Sequence, residues 1–166
     1  MEPHPITDHI PRLRRYARAL VGDRQSADDL VQDTLERACN KFHLWRSGSD
    51  LRAWLFTVMH NVFVNQIRGA RNQLEQSMEE VPVVAARATQ GDALELADVD
   101  RALRTLPAEQ REVLLLIAVE QMSYAEAGKA LSVPIGTVMS RLSRARERMR
   151  IATGSRQAAV PLKVVK

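Results

Sequence analysis

Residues Ser123 to Arg150, SYAEAGKALSVPIGTVMSRLSRARERMR, admit few folds. Ser123 and Glu126 make a capping box: the hydroxyl takes an orphan amide at a helix start and the carboxylate reaches back to the cap. Ala125, Ala127, Ala130 and Leu131 follow as small apolar contacts. Ser132 and Val133 interrupt the period. Pro134 suits a first helical position, where its missing N–H costs nothing. Beyond it Ile135, Val138, Leu142, Ala145 and Met149 recur on one helical face, and Thr137, Arg141, Arg144 and Arg148 fall on a neighbouring one. Five arginines and one acid lie between positions 141 and 150. A short helix, a tight turn and a second helix with an arginine-bearing face suit a DNA major groove, and the guanidinium fork suits guanine or phosphate. A solvated basic helix at a domain end would carry the same stripe, so pattern alone leaves both readings open.

The charge along the chain is uneven. Residues 1–74 hold 11 basic and 8 acidic side chains, residues 75–100 hold 1 and 7, and residues 101–166 hold 12 and 5. Two basic blocks around an acidic one point to two nucleic-acid-facing modules and a linker between them. The single cysteine, Cys39, excludes an internal disulfide and fits a reducing compartment. Its place in a helical apolar pattern reads as core. No signal-peptide segment and no membrane-length apolar run is present, so a soluble, cytoplasmic protein without membrane insertion is expected.

In chain order, Ile10, Leu13, Ala17 and Leu20 mark an amphipathic helix stopped at Gly22. Its outer face carries Arg12, Arg14, Arg15 and Arg18, as a solvated face or for phosphate contact. A second helix is expected to open at Ser26, paired with Asp29, and to bury Leu30, Val31, Thr34, Leu35, Ala38 and Phe42. Asp28 and Asp29 suit the helix dipole. Asp33 and Glu36 lie too far along for that reason, and suit either a docking face or plain solvation. The loop HLWRSGS follows, and Asp50 can cap a long helix. No charged residue occurs from Ala53 to Gln66, so that helix must be covered on most sides. Trp54, Phe56 and Phe63 read as core, and His60 as a satisfied core histidine. Asn61 and Asn65 need hydrogen-bond partners in such a helix. Aromatic and amide groups beside a basic loop would also serve single-stranded DNA.

Residues 69–91 have no sustained period and read as a linker. Leu96, Val99, Leu103 and Leu106 then share a face as far as Pro107, and Val113, Leu114, Leu116 and Ile117 form the buried side of the next helix. Residues 151–166 read as a loose basic tail. No His, Cys, Asp or Glu cluster has metal or nucleophile spacing, so no metal, cofactor or enzymatic centre is expected.

Three segments in order resemble a known family. DRQSADDLVQDTLERA, GSDLRAWLFTVMHNVFVNQIR and LPAEQREVLLLIAVEQMSYAEAGKALSVPIGTVMSRLSRARERM are similar to the conserved parts of bacterial RNA polymerase sigma factors. The likeness is to the extracytoplasmic-function class of the sigma-70 superfamily. It implies an all-α fold: two small helical domains joined by a flexible linker, the second a winged-helix-like four-helix domain with a helix-turn-helix. The expected boundaries are a first domain at 8–74, an acidic linker at 75–91, a second domain at 92–150 and a tail at 151–166.

The resemblance also implies roles. Asp29, Gln32, Asp33 and Glu36 would dock on core RNA polymerase, which offers its β′ and β subunits. Trp45, Arg46, Ser47, Gly48, Ser49, Asp50 and Asn61 would meet the −10 element, and Trp54 would be structural. Thr137, Met139, Ser140, Arg141, Arg144 and Arg148 would meet the −35 element of promoter DNA. An anti-sigma factor is a further implied partner. Met139 stands where relatives usually carry Lys or Arg, and Ser132 where glycine is frequent, which bears on the promoter sequence read. The alternatives are a helix-turn-helix regulator acting without polymerase, and a sigma-like decoy for an anti-sigma factor. The acidic and uncharged helices have no task in the first, and the arginine stripe none in the second.

Overall fold

The computed structural model describes residues 5–77 and 93–154, with side chains over 5–75 and 96–154. Those residues form helices and connecting turns, with no strand among them. The first lobe contains α1 (Ile10–Val21), α2 (Arg24–Asn40) and α3 (Leu51–Ser77), with short 3-10 turns at Pro5–His9 and Phe42–Leu44. The second contains α4 (Ala93–Thr105), α5 (Ala108–Ala118), α6 (Tyr124–Leu131) and α7 (Ile135–Gly154).

Local chemistry sets most of these boundaries. Gly22 ends α1 in a left-handed conformation, φ 76°, with its N–H on the Arg18 carbonyl. The cap of α2 is Asp23, not Ser26. Its carboxylate accepts both the Ser26 N–H (2.9 Å) and the Ser26 hydroxyl (2.7 Å), so the expected capping residue is the donor. Asp50 Oδ1 accepts the Ala53 N–H at the start of α3, as expected. The capping box of α6 is complete: Glu126 N–H to Ser123 Oγ at 3.1 Å and Ser123 N–H to Glu126 Oε2 at 3.0 Å. Pro134 lies just before α7, and its carbonyl accepts the N–H groups of Thr137 and Val138.

The uncharged stretch of α3 is covered from two sides. It packs on α2 within its own lobe and on α6 of the other. Leu55, Phe56, Val58, Met59, Val62 and Phe63 are buried there. The third side stays open and carries Asn61 and Asn65, both exposed, so water rather than protein can satisfy their amides. One apolar cluster runs through both lobes, from Leu13 and Leu30 to Leu116, Val138 and Leu142.

Several expectations change. Cys39 is exposed, because it falls one step past the buried Ala38 on α2. Only the C-terminal half of α4 reaches the core: Ala102, Leu103 and Leu106 are buried, whereas Leu96 is 71% exposed and Val99 is also exposed. In α5, Val113, Leu115 and Leu116 are buried, and Leu114 and Ile117 only partly. Ile135 of α7 is exposed as well, while Val138, Leu142 and Ala145 form its buried stripe. α3 continues to Ser77 and α7 to Gly154, so the first residues expected of the linker and of the tail are helical. The remainder of both segments lies outside the described residues.

Candidate functional site

Three surfaces carry the residues singled out from sequence. On α2, Asp29, Gln32, Asp33 and Glu36 are all exposed and form a ridge on the side away from buried Leu30, Val31 and Thr34. Asp33 is held in place, since Gln66 Nε2 of α3 donates to its Oδ2 at 2.9 Å. Gln66 was not legible as part of this surface, because the contact joins residues 33 positions apart. Beside the ridge, Arg14 and Arg18 of α1 and Arg24, Asp28 and Glu36 of α2 line a groove between the two helices.

The second surface is the loop before α3. Arg46, Ser47, Gly48, Ser49 and Asp50 are exposed. Gly48 adopts φ 93°, and Ser49 donates both its N–H and its hydroxyl to the Arg46 carbonyl, which folds the loop tip on itself. Trp45 differs from its neighbours. It is half-buried and stacked on Phe42 (centroids 5.4 Å, interplanar 26°), and Phe42 meets Trp54 edge-on at 6.5 Å. Trp45 therefore anchors the base of the loop, and Asn61 presents its amide from the open side of α3.

The third surface is the helix-turn-helix. Gly128 lets α6 and α7 approach, because a Cβ there would lie 2.9 Å from the Val133 carbonyl oxygen. Ser132 takes φ 56° in the turn. At 100° per residue, the side of α7 opposite Val138, Leu142 and Ala145 is centred on Ser140, Ser143 and Glu147, with Arg144 next to them. Ser140, Ser143, Arg144 and Arg148 are exposed, and so is Met139. Thr137 is half-buried, and its carbonyl accepts the Ser140 hydroxyl. Arg141 lies off this face, 24% exposed, with its guanidinium 3.7 Å from Glu109 of α5. Ser143 was passed over in the sequence because it breaks the arginine stripe. The apolar spacing of Val138, Leu142 and Ala145 already places it on the opposite side.

A fourth set of polar contacts, invisible in the sequence, joins the lobes. Arg104 of α4 donates to the carbonyls of Leu20 and Ala19 at the end of α1, and Arg111 of α5 donates to Leu20 at 2.7 Å. His60 Nδ1 lies 2.7 Å from Glu112 Oε1. Arg52 donates to the Glu120 carbonyl, and the buried Glu120 carboxylate faces Arg12 at 3.4 Å and Arg15 at 4.0 Å. Burial, with Arg104 alongside, pushes the Arg111 guanidinium down to about 10. Burial raises the Glu120 carboxyl above its ordinary range, partly opposed by Arg12, Arg15 and Arg52.

The described residues thus form two helical lobes, with an acidic ridge on one and an arginine-bearing helix-turn-helix on the other. Residues 6–60 match the Sigma2 domain of PhyR, and residues 96–149 match Sigma-70, region 4. The chain is 36% identical over 154 residues to the ECF RNA polymerase sigma factor EcfG of Rhodopseudomonas palustris, covering 87% of this chain and 85% of that one. It is 32% identical over 141 residues to SigM of Mycobacterium tuberculosis, covering 85% and 71%. Among solved structures, the sigma factor RpoE of Bartonella quintana, in complex with the anti-sigma factor NepR, is similar at 38% identity and TM-score 0.80 over 89% of this chain and 93% of that one. CnrH, in complex with the cytosolic domain of CnrY, is similar at 27% identity and TM-score 0.65 over 93% and 86%. The chain belongs to the ECF RNA polymerase sigma factors. It is thus a DNA-binding regulator that binds core RNA polymerase and directs transcription initiation at promoters. No helix among the described residues is long and apolar enough to cross a membrane.

Proposed function

We propose that the α2 ridge of Asp29, Gln32, Asp33 and Glu36 is the surface that docks on core polymerase, through its β′ subunit. The loop Arg46–Asp50, based on Trp45 and flanked by Asn61, receives an unstacked −10 base. Extruding a base costs a few kcal/mol, which a fitted pocket must offset. Ser140, Ser143 and Arg144, with Met139, Thr137 and Arg148 at the edges, read the −35 duplex, and Arg141 shapes that face through Glu109. The chain makes and breaks no covalent bond; favouring the open state by binding its single strand is a shift of populations. It acts in the cytoplasm, and an anti-sigma factor restrains it, as the complex of the RpoE relative with NepR suggests.

The observation that carries this reading is the split between used and unused faces. The buried stripes of α2 and α7 are spent on the common core, yet the α2 carboxylates and the outer side of α7 remain exposed. Gln66 of α3 also orients Asp33 on that ridge. Co-purification with core polymerase and run-off transcription on a promoter library test it. Asp33→Arg is expected to lose co-purification while keeping its helical circular dichroism. Normal recovery of the variant with the polymerase would remove the docking assignment.

A further inference from the structure

Exposed apolar side chains scattered singly over a surface need no explanation; two stacked on one helix flank do. α7 begins with such a pair. Ile135, its first residue, is 49% exposed, and Met139, one turn on, is 51% exposed. Positions four apart on a helix share a flank, with their Cβ atoms about 5–6 Å apart. The core takes neither side chain, because Val138, Leu142 and Ala145 form the buried side.

The neighbours of the pair decide what can cover it. At 100° per residue, Gly136, Ser140 and Ser143 form the middle of the outward face. Ile135 and Met139 form one flank, and Thr137, Arg144 and Arg148 the other. The middle is low. Gly136 is exposed, and a Cβ there would meet nothing of the protein within 4 Å, so the fold itself does not call for glycine. Cations lie around it. Among the described residues the ion pairs of α7 involve Arg141 and Arg150, which leaves exposed Arg144, Arg146 and Arg148 unpaired. A helix with small residues along its middle and free guanidinium groups around them suits a polyanionic groove rather than an apolar protein face. In the major groove the first turns of a recognition helix reach base edges. The apolar group presented there is the C5 methyl of thymine. Bases of one strand follow each other about every 3.4 Å, so two side chains one turn apart cover neighbouring base pairs.

We propose that Met139, with Ile135 beside it, recognises thymine C5 methyl groups in the −35 element, so that part of the sequence preference is an apolar contact and not a hydrogen bond. This role rests on the reading of α7 as the −35 helix. The thioether chain is unbranched and polarisable and moulds itself to a methyl group. It carries no hydrogen-bond donor for a phosphate or a guanine edge.

The test uses holoenzyme assembled from the full chain and core polymerase, on duplexes carrying the −35 sequence that a promoter library selects. Uracil in place of thymine removes the methyl and leaves the pairing edge as it was. At one or two −35 thymines this change is expected to weaken binding about fourfold each, the worth of one buried methyl group. Uracil outside the promoter elements is expected to change nothing. Met139→Ala is expected to bind the thymine and uracil duplexes alike, and Met139→Leu to keep the difference. Both Met139 and Ile135 are exposed, so truncating them spares the core. Uracil without effect at every −35 thymine overturns the methyl contact, as does a selected −35 element without A·T pairs. A thymine preference that survives in Met139→Ala combined with Ile135→Ala also overturns it. Each of these results leaves the sigma-factor reading intact. Failure of the unaltered chain to assemble with the polymerase, or to prefer any −35 sequence, overturns both.

Discussion

Ser132 holds φ 56° at the end of α6, in the left-handed region. A side chain with a Cβ costs about 1–2 kcal/mol there, and glycine gives back about 0.5–1 kcal/mol through the freedom of the unfolded chain. Ser132→Gly is therefore expected to stabilise the protein by about 0.5–1 kcal/mol, read as a rise in the urea midpoint at unchanged slope. Gly128, four residues earlier, gives the opposite expectation. The atom that a Cβ at position 128 would strike is a backbone oxygen, Val133 O, at 2.9 Å, and the same turn uses the Val133 N–H to bond the Gly128 carbonyl. Nothing there can swing aside. Gly128→Ala is expected to lose about 1–3 kcal/mol, in the range of an overpacked site, and to weaken −35 duplex binding. A variant that keeps both its midpoint and its duplex affinity would show that the turn yields more easily than this geometry implies.

Among the elements, α7 shows what a periodic reading can and cannot resolve. The spacing of Val138, Leu142 and Ala145 was enough to place the helix and its buried stripe. Arginine content alone did not show that Arg141 turns toward Glu109 while Ser143 faces out. α6 was legible for a similar reason, its capping box and stripe being contiguous, whereas for α2 only the buried stripe was legible and the cap fell on Asp23 instead of Ser26. Glu112 and Glu120 were not, since their burial arises from a lobe far away in sequence. The same holds for Arg104 and for Gln66. On α7 the two kinds of arginine contact separate experimentally. Arg144→Ala, beside Ser140 on the outward face, is expected to cost about 1–3 kcal/mol on the preferred −35 sequence and to relax specificity there. Arg148→Ala, one turn further on, is expected to weaken binding to all duplexes alike and to lower the slope of log affinity against log salt by about 0.9. Both follow from titrations on matched and mismatched duplexes at several salt concentrations. Equal loss on every duplex for Arg144→Ala would make that residue a phosphate contact.

For the whole molecule, the seam between the lobes contains a built-in weakness at Glu120. Its carboxylate is buried when the lobes meet, with Arg12 and Arg15 from α1 at 3.4 and 4.0 Å and no hydrogen-bond donor on either oxygen. Buried Tyr16 and Glu112 lie in the same environment, and Arg52 binds the Glu120 carbonyl. Loss of hydration outweighs the three arginines, so the folded carboxyl holds its proton to higher pH than the unfolded chain does. The sign follows from linkage: in that window the folded state binds more protons, so stability falls as pH rises. The contribution is fully present below the ordinary glutamate range, around pH 4.5, and is lost as pH rises through the raised folded value. Glu120→Gln removes the ionisation and keeps the shape. Arg12 and Arg15 are exposed enough to rehydrate, so little attraction is forfeited. The variant is expected to match the unaltered protein near pH 4 and to be more stable by up to about 1 kcal/mol at pH 7.5, the scale of a poorly compensated buried charge. Urea unfolding at both pH values checks this directly, because titrations elsewhere in the chain cancel in the difference. An equal offset at the two pH values would mean that Glu120 acts through its shape rather than its charge. A loss of stability at pH 7.5 would mean that the arginines, not desolvation, dominate the seam.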